Sequence, residues 1–219
     1  GRSPAFGRTA EPAKTTLGRP ETGTAFTKGN RMKYLDDLRL FQPLCEQEEV
    51  DHALMLQEAG RMPEKILTRE SALLHMTASA MVVNPARTHV LMAYHNIYGT
   101  WAWTGGHADG ETDLRAVARR EAMEESGVSG LRDLGDGPLS IEILTVNGHE
   151  KRGQYVSSHL HYNVTYLFEA DDRQAVHMKP DENSGAGWFV PEDALAAVSE
   201  VWMRERIYPK LIAKAARLK

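Results

Sequence analysis

A short strand, a glycine-rich segment and a helix follow one another in the middle of this chain, and this unit limits the fold more than any other feature. The pattern predicts the strand over residues 100–104, the glycine-rich loop over residues 105–110 and the helix from about residue 113 to residue 126. Gly127 follows the last helical position, where a glycine commonly ends a helix. A strand joined so directly to a helix indicates a sheet covered by helices.

Residues 156–168 alternate bulky and polar side chains with a period of two, which is typical of a strand. The bulky positions are Leu160, Tyr162, Val164, Tyr166 and Phe168, and the polar positions are His159, His161, Asn163 and Thr165. We expect the bulky face to pack on a core and the polar face to be wet. Residues 76–83 and 89–93 flank the turn signal Asn84-Pro85 and form a predicted hairpin.

Helical patterns lie on both sides of these strands. Residues 33–61 carry apolar side chains at helical spacing, with an interruption at Pro43. Residues 191–198 and 202–217 predict two terminal helices. Strands and helices therefore intermix, and we predict an α/β fold with a mixed sheet. The apolar stripe of residues 33–61 must be buried, so we expect it to pack on the core or on a second subunit.

The chain divides into three predicted segments. Residues 1–31 contain five Gly, three Pro and six Thr but few large apolar side chains, and we expect a flexible tail or a foreign leader ahead of a start at Met32. Residues 32–70 form a helical extension, and residues 71–219 form the main domain.

Composition excludes several classes of protein. No run of about 18 to 20 apolar residues is present to span a bilayer. The net charge is −4, and six of the basic residues lie in residues 1–31, so a large nucleic-acid surface is not expected. The single cysteine, Cys45, cannot form an internal disulfide. We therefore expect a cytoplasmic protein without a membrane partner.

Three carboxylates crowd the end of the central helix. Glu121, Glu124 and Glu125 fall within an arc of roughly 100° on a helix. The helix dipole disfavours anions at this end, and the single guanidinium of Arg120 cannot neutralise three of them. Oxygen ligands of this kind suit Mg²⁺ or Mn²⁺. The alternative is a solvated acidic helix face, which explains most glutamate-rich helices.

The segment from Gly106 to Val128 resembles a known family motif. Its fixed positions are Gly106, Thr112, Arg120, Glu121, Ala122, Glu124, Glu125, Gly127 and Val128. This spacing is similar to the Nudix box, G-x5-E-x7-R-E-U-x-E-E-x-G-U, in which U is aliphatic. Two positions depart from the family pattern. Thr112 stands where a glutamate usually helps to hold the box arginine, so that ion pair is absent or is made by Glu111. Thr104 stands where proline often precedes the two glycines.

The resemblance implies a fold, a reaction and a set of site residues. Nudix proteins fold as an α/β/α sandwich around a mixed sheet, which here would span residues 71–219 behind the N-terminal helical extension. Most hydrolyse a nucleoside diphosphate linked to another moiety, and homodimers are common. Glu121, Glu124 and Glu125 would bind Mg²⁺ or Mn²⁺, with Arg120 orienting them. Glu182 is the candidate for a further acidic residue that serves as base or additional metal ligand, and its alternative is a solvated loop carboxylate.

Substrate contacts are assigned to the glycine segment and to the polar face of the long strand. We predict that a small nucleotide-type substrate binds at Gly105, Gly106, His107, His159 and His161. A His-x-His pair on a strand can also bind zinc, but the sequence assures no third ligand. Polar lining of a cleft is therefore the preferred interpretation of these histidines.

Two other functions fit the same pattern less well. A noncatalytic Nudix domain that binds a nucleotide or a sugar nucleotide would not need the three box glutamates. An isomerase of the isopentenyl diphosphate type would need a cysteine in the core of the site, and Cys45 lies before the domain. Hydrolysis is the function that the residues favour.

Overall fold

The computed structural model describes residues 32–96, 99–151, 153–178 and 183–218. The helices are α1 (Lys33–Leu40), α2 (Glu46–Arg61), α3 (Leu114–Ser126), α4 (Pro191–Ala197) and α5 (Tyr208–Arg217). The strands are β1 (Leu74–Val83), β2 (Val90–His95), β3 (Thr100–Ala102), β4 (Thr104–His107), β5 (Arg132–Leu134), β6 (Ser140–Val146), β7 (His149–Lys151), β8 (Gln154–Val156), β9 (His159–Glu169) and β10 (Asn183–Phe189). A 3₁₀ turn covers Lys65–Leu67, and a π-helical turn, Met203–Ile207, leads into α5.

Eight of these strands form one mixed sheet. Its main path runs β10-β2-β1-β9-β5, with β3 beside β2, β4 beside β1 and β6 beside β9. Strands β1 and β9 are parallel over ten residue pairs, from Leu74 opposite Leu160 to Val83 opposite Glu169. The other pairings in the sheet are antiparallel. Strands β7 and β8 form a separate ribbon.

Helices cover both faces of the sheet. The first core joins α1, α2 and α3 to the even-numbered side chains of β1 and β9, among them Met76, Ala78, Val164 and Phe168. The second core joins α4, α5 and the π-helical turn to side chains such as Met81 and Leu167 on the opposite face. The predicted α/β class, the mixed sheet and the N-terminal helices are confirmed.

The helical extension packs on the domain rather than standing apart. Tyr34, Leu38 and Met55 are fully buried in the first core. The Tyr166 hydroxyl donates a hydrogen bond of 2.6 Å to Asp37 of α1. The backbone N–H of Tyr34 donates to the Thr112 carbonyl, just ahead of α3. Helix α1 therefore braces both the sheet and the start of α3.

The predicted glycine loop is wrong in its first half. Gly105, Gly106 and His107 belong to β4 and pair with β1. Gly105 has no side chain to keep the strands apart, and a Cβ there would lie 2.7 Å from the Ala78 carbonyl oxygen. The turn follows the strand instead, with positive φ angles at Asp109 and Gly110. Glycine is uncommon in strands, which is why the sequence favoured a loop.

Other boundaries also moved. The long strand begins at His159 rather than at residue 156, because Gln154–Val156 pairs separately with β7. Strand β10 runs from Asn183 to Phe189, ahead of the terminal helices. The hairpin of β1 and β2 and the helices near residues 33–61 lie close to their predicted positions.

The polar face of β9 is not wet along its length. Asn163 and Thr165 are almost completely buried. The side-chain oxygen Oδ1 of Asn163 accepts hydrogen bonds from the hydroxyl groups of Thr77 at 3.0 Å and Ser79 at 2.8 Å. Its amide donates to Glu142 at 3.2 Å. Internal partners replace water, which corrects the expectation of a wet face at these two positions.

This hydrogen-bonded set continues to α2 and α5 and forms a polar network. The Ser140 hydroxyl lies 2.5 Å from Oε1 of Glu142 and 2.8 Å from Oε1 of Glu48, so its one proton is shared between the two carboxylates. Lys210 lies 3.0 Å from Glu142 and 3.2 Å from Glu48. Lys214 also donates to Glu48. The network, which we define as Thr77, Ser79, Asn163, Thr165, Glu142, Ser140, Glu48, Lys210 and Lys214, ties the helical extension to the last helix through the sheet.

No helix in the described part of the chain has the length and apolar character to cross a bilayer.

Candidate active site

Helix α3 is fixed at both ends by its own sequence. The Asp113 side chain caps the first turn by accepting a hydrogen bond of 3.1 Å from the Ala116 N–H. Gly127 ends the helix in a left-handed conformation, with φ of 69° and its N–H donating to the Met123 carbonyl. The apolar face, including Val117 and Ala118, is completely buried against the sheet. The polar side chains on the opposite face of the last turns of α3 therefore have a fixed position.

The three glutamates of α3 differ in their exposure. Glu125 is buried, with 3% of its surface exposed. The side chain of Glu121 is 15% exposed and that of Glu124 is 46% exposed. The carboxylates therefore run from the edge of the core to the solvent along one side of the helix.

Gly106 of β4 provides the space in which Glu121 lies. A Cβ built on Gly106 would be 2.5 Å from Cδ of Glu121 and 2.8 Å from its Oε1 atom. Real Cβ atoms essentially never come so close to another atom. The carboxylate of Glu121 is therefore held against the backbone of β4.

The donor set suits a hard divalent cation. Carboxylate oxygens are the ligands that Mg²⁺ and Mn²⁺ prefer. Glu121 and Glu125 are supported by the packed helix and by the glycine strand, and Glu124 lies at the solvent edge. These three carboxylates could supply oxygen ligands to a divalent cation.

A sequence comparison decides the family. The sequence model of the NUDIX domain matches residues 73–211, which is more than half of the chain. The chain belongs to the NUDIX domain family. The matched region contains the segment from Gly106 to Val128 whose spacing resembles the Nudix box, and this segment includes the end of β4, the turn and α3.

Comparisons with solved structures find Nudix enzymes of low sequence identity. An Ap4A hydrolase from C. elegans has 19% sequence identity and a TM-score of 0.44, and the aligned region covers 64% of this chain and 94% of the hydrolase chain. A NUDIX family hydrolase from Clostridium perfringens has 20% identity, covers 63% and 95%, and has a TM-score of 0.43. The Nudix hydrolase RenU from M. smegmatis has 15% identity, covers 65% and 86%, and has a TM-score of 0.47. No curated protein matches the chain.

The arginine of the Nudix box pairs with the box glutamates themselves. Arg120 Nη2 lies 3.3 Å from Oε1 of Glu121, and its Nε lies 3.9 Å from Oε1 of Glu124. Glu111 does not replace the missing glutamate at Thr112 as a partner of this arginine. Its carboxylate accepts hydrogen bonds from the N–H groups of Thr112 and Asp113, at 2.9 and 3.2 Å. Glu111 thus stabilises the turn ahead of the helix.

Glu182, the predicted base, lies outside the described residues, so its role stays a prediction. The next residue, Asn183, is buried at the start of β10. Its amide group donates to the Glu125 carbonyl at 3.4 Å. The start of β10 therefore lies against the C-terminal end of α3.

The predicted histidines lie on the other face of the sheet. Successive side chains of a strand point to opposite faces, so Gly106 faces Glu121 while His107 faces away from α3. His107 joins His159 and His161 there, with ring centroids of His107 and His161 4.9 Å apart. Gly106 therefore faces the side of the sheet on which α3 packs, whereas Gly105 and these histidines face the other side.

A fourth histidine, His75, was missed by the sequence reasoning. Its ring centroid lies 5.0 Å from that of His107 and 5.1 Å from that of His161. Burial lowers the pKa of His75 and lowers that of His161 to about 2, so both rings are neutral near pH 7. His75 gives no local signal, because only the parallel pairing of β1 with β9 brings it opposite His161.

Proposed function

We propose that this Nudix protein is a Mg²⁺- or Mn²⁺-dependent pyrophosphohydrolase. Its substrate would be a nucleoside diphosphate joined to a second moiety, cleaved by attack of water on phosphorus. The observation that carries the proposal is the set of three glutamates, Glu121, Glu124 and Glu125, on one side of α3, with Glu121 held against the side-chain-free backbone of Gly106.

The residues of the chain have separate tasks in this reaction. Glu121, Glu124 and Glu125 hold the cation, which when bound neutralises charge on the phosphoryl oxygens and lowers the pKa of a coordinated water. Arg120 keeps the carboxylates of Glu121 and Glu124 in position through its two ion pairs. Glu182 is proposed as the base that accepts a proton from the attacking water.

In the proposal, a phosphate-bearing substrate approaches the β4 backbone at Gly105 and Gly106. The partner is a small nucleotide-type molecule. A cytoplasmic location and a homodimer remain predictions of the proposal.

The reaction is tested with a panel of phosphate anhydrides. Nucleoside triphosphates, ADP-ribose, NADH, dinucleoside polyphosphates and nucleotide sugars are incubated with the full chain and Mg²⁺, Mn²⁺ or a chelator, and the nucleotide and phosphate products are separated. We expect one substrate class to be cleaved and cleavage to stop with the chelator. Binding of a nucleotide without any product across the panel would instead favour the noncatalytic Nudix function.

A further inference from the structure

Four histidines converge on the face of the sheet opposite α3. His75 comes from β1, His107 from β4, and His159 and His161 from β9, and we call these four residues the histidine cluster. The ring centroid of His75 lies 4.8 to 5.1 Å from those of the other three. The strand register produces this convergence. His75 lies opposite His161, and Thr77, the next residue of β1 on the same face, lies opposite His107.

His75 presents an unsatisfied ring nitrogen to the cluster. The side chain is buried, and its Nδ1 lies 3.1 Å from the Ser71 carbonyl oxygen. A carbonyl only accepts, so Nδ1 carries the proton and Nε2 of the neutral ring keeps a lone pair. That Nε2 is buried and has no hydrogen-bond partner among the described residues. A backbone carbonyl that fixes the tautomer in this way is the usual support of a metal-binding histidine.

His159 and His161 also have their nitrogens set at ligand spacing. His159 Nδ1 lies 2.9 Å from the Ser157 carbonyl oxygen, so its Nε2 also carries a lone pair in the neutral ring. That Nε2 accepts a hydrogen bond of 3.1 Å from Nε2 of His161, whose proton a bound zinc ion would displace. Two nitrogens bound to one tetrahedral zinc ion at about 2.0–2.1 Å are roughly 3.3 Å apart. The observed separation is close to that value.

We propose that His75, His107 and His161 form a zinc-binding site, with His159 beside them. One nitrogen from each of the three lies within 4.8 Å of the other two. Three imidazoles without a carboxylate suit Zn²⁺ and disfavour Mg²⁺ or Mn²⁺, which prefer oxygen ligands. His107 and His161 are half-buried, so the site opens to solvent. The fourth coordination position is available to His159, to water or to an anionic oxygen of a ligand.

The surrounding charge is compatible with a cation. Arg69 is the positive group that acts on His75 and His161. Its guanidinium is neutralised by Asp109 through two hydrogen bonds of 2.8 and 2.6 Å. The site is also separate from the Nudix glutamates, because His107 and Gly106 face opposite sides of β4.

The test is a zinc titration of the full chain after treatment with a chelator. A chromophoric zinc indicator competes for the ion, and X-ray absorption at the zinc edge identifies its ligands. We expect one zinc per chain and a spectrum dominated by imidazole nitrogen. His75→Gln and His161→Gln should each weaken binding more than tenfold. Two control variants should retain zinc binding. They are Glu124→Gln and His149→Gln, the latter at a histidine of β7 whose ring bonds to the Asn147 carbonyl.

Three results would overturn the zinc site. The first is that the wild-type chain does not bind zinc stoichiometrically. The second is that His75→Gln and His161→Gln bind zinc with unchanged affinity. The third is that X-ray absorption shows only oxygen atoms coordinated to the zinc ion. If the buried His75→Gln variant does not fold, His107→Gln replaces it, because His107 is half-buried at the open side of the cluster. Loss of zinc binding in Glu124→Gln with retention in the histidine variants would place the ion at the Nudix box instead.

Discussion

Gly106 and Glu121 occupy adjoining space between β4 and α3, so that any Cβ at position 106 would overlap the Glu121 carboxylate. The Glu121 atoms that such a Cβ would meet are Cδ, Cγ and Oε1, the outer part of a flexible side chain. The strand and helix can therefore tolerate a methyl group at position 106, but the carboxylate cannot stay where it is. Glycine at position 106 therefore sets the place of the Glu121 carboxylate, which is a cation ligand in the proposed mechanism.

Gly106→Ala is expected to reduce hydrolysis while leaving the fold intact. Displacement of a reacting or positioning group by about 1 Å can lower turnover by about a hundredfold. Activity with Mg²⁺ and the thermal unfolding midpoint are measured on the same preparation. Gly60→Ala is the matched control, because nothing lies within 4 Å of its added Cβ. Unchanged turnover in Gly106→Ala would show that the Glu121 position is not important for activity.

Removal of residues 1–70 should destabilise the domain severely. Tyr34, Leu38, Met55 and Ala59 would leave the first core and expose the sheet face beneath them. Burial of each large apolar side chain contributes about 1.5–3 kcal/mol, and a domain has only about 5–15 kcal/mol of net stability. We expect aggregation or loss of the cooperative thermal transition. A chain lacking residues 1–31 serves as the control, and a soluble, equally stable 71–219 fragment would contradict the bracing role of α1 and α2.

Lys214→Met should lower the free energy of unfolding by about 3 kcal/mol. Lys214 is buried in the polar network, where its ammonium bonds to Glu48 and to the Leu139 carbonyl. The substitution keeps the stem but leaves Glu48 with one fewer positive partner in a buried site. Urea denaturation measures the change. The exposed Lys65→Met should stay within about 0.5 kcal/mol of wild type, and equal losses in both variants would refute the importance of the buried pair.

Acid should weaken the same network. Burial alone would raise the pKa of Glu48, but hydrogen bonds from Lys214, Leu44 and Ser140 and the charge of Lys210 outweigh it and hold the pKa below its ordinary value of 4.5. As the pH falls, Glu48 is therefore protonated in the unfolded chain before it is protonated in the folded chain. The stabilisation is complete above about pH 4.5 and is lost as the pH falls through the lower folded-state value.

Urea denaturation between about pH 7 and about pH 3 measures this loss. Glu48→Gln should begin with lower stability and lose less of it in acid than wild type does. A variant with the same slope below pH 4.5 as wild type would show that another carboxylate is responsible.

Features with local causes could be predicted from the sequence. The central helix and its end at Gly127 follow from apolar spacing and from a single glycine, and the structure places them within a residue of the prediction. The face shared by Glu121, Glu124 and Glu125 follows from helix geometry alone.

Features with distant causes could not be predicted in this way. Gly105 and Gly106 belong to a strand because the β1 backbone lies against them, a contact that their composition does not reveal. Asn163 is buried because Thr77 and Glu142 from neighbouring strands satisfy its polar atoms. His75 joins the histidine cluster only through the sheet register. In each case the partner is far away in the sequence.

The central claim is that carboxylates of α3 support metal-dependent hydrolysis, and Glu124→Gln tests it most directly. Glu124 is half exposed on a well-packed helix, so the change removes a charge without disturbing the core. Hydrolysis of the best panel substrate is measured with Mg²⁺ for wild type, Glu124→Gln and Glu192→Gln, an exposed helical glutamate on α4 that serves as the control. We predict a loss of at least about a hundredfold in Glu124→Gln and wild-type turnover in Glu192→Gln. Full activity of a folded Glu124→Gln, or turnover that persists in the presence of chelator, would contradict the proposed mechanism.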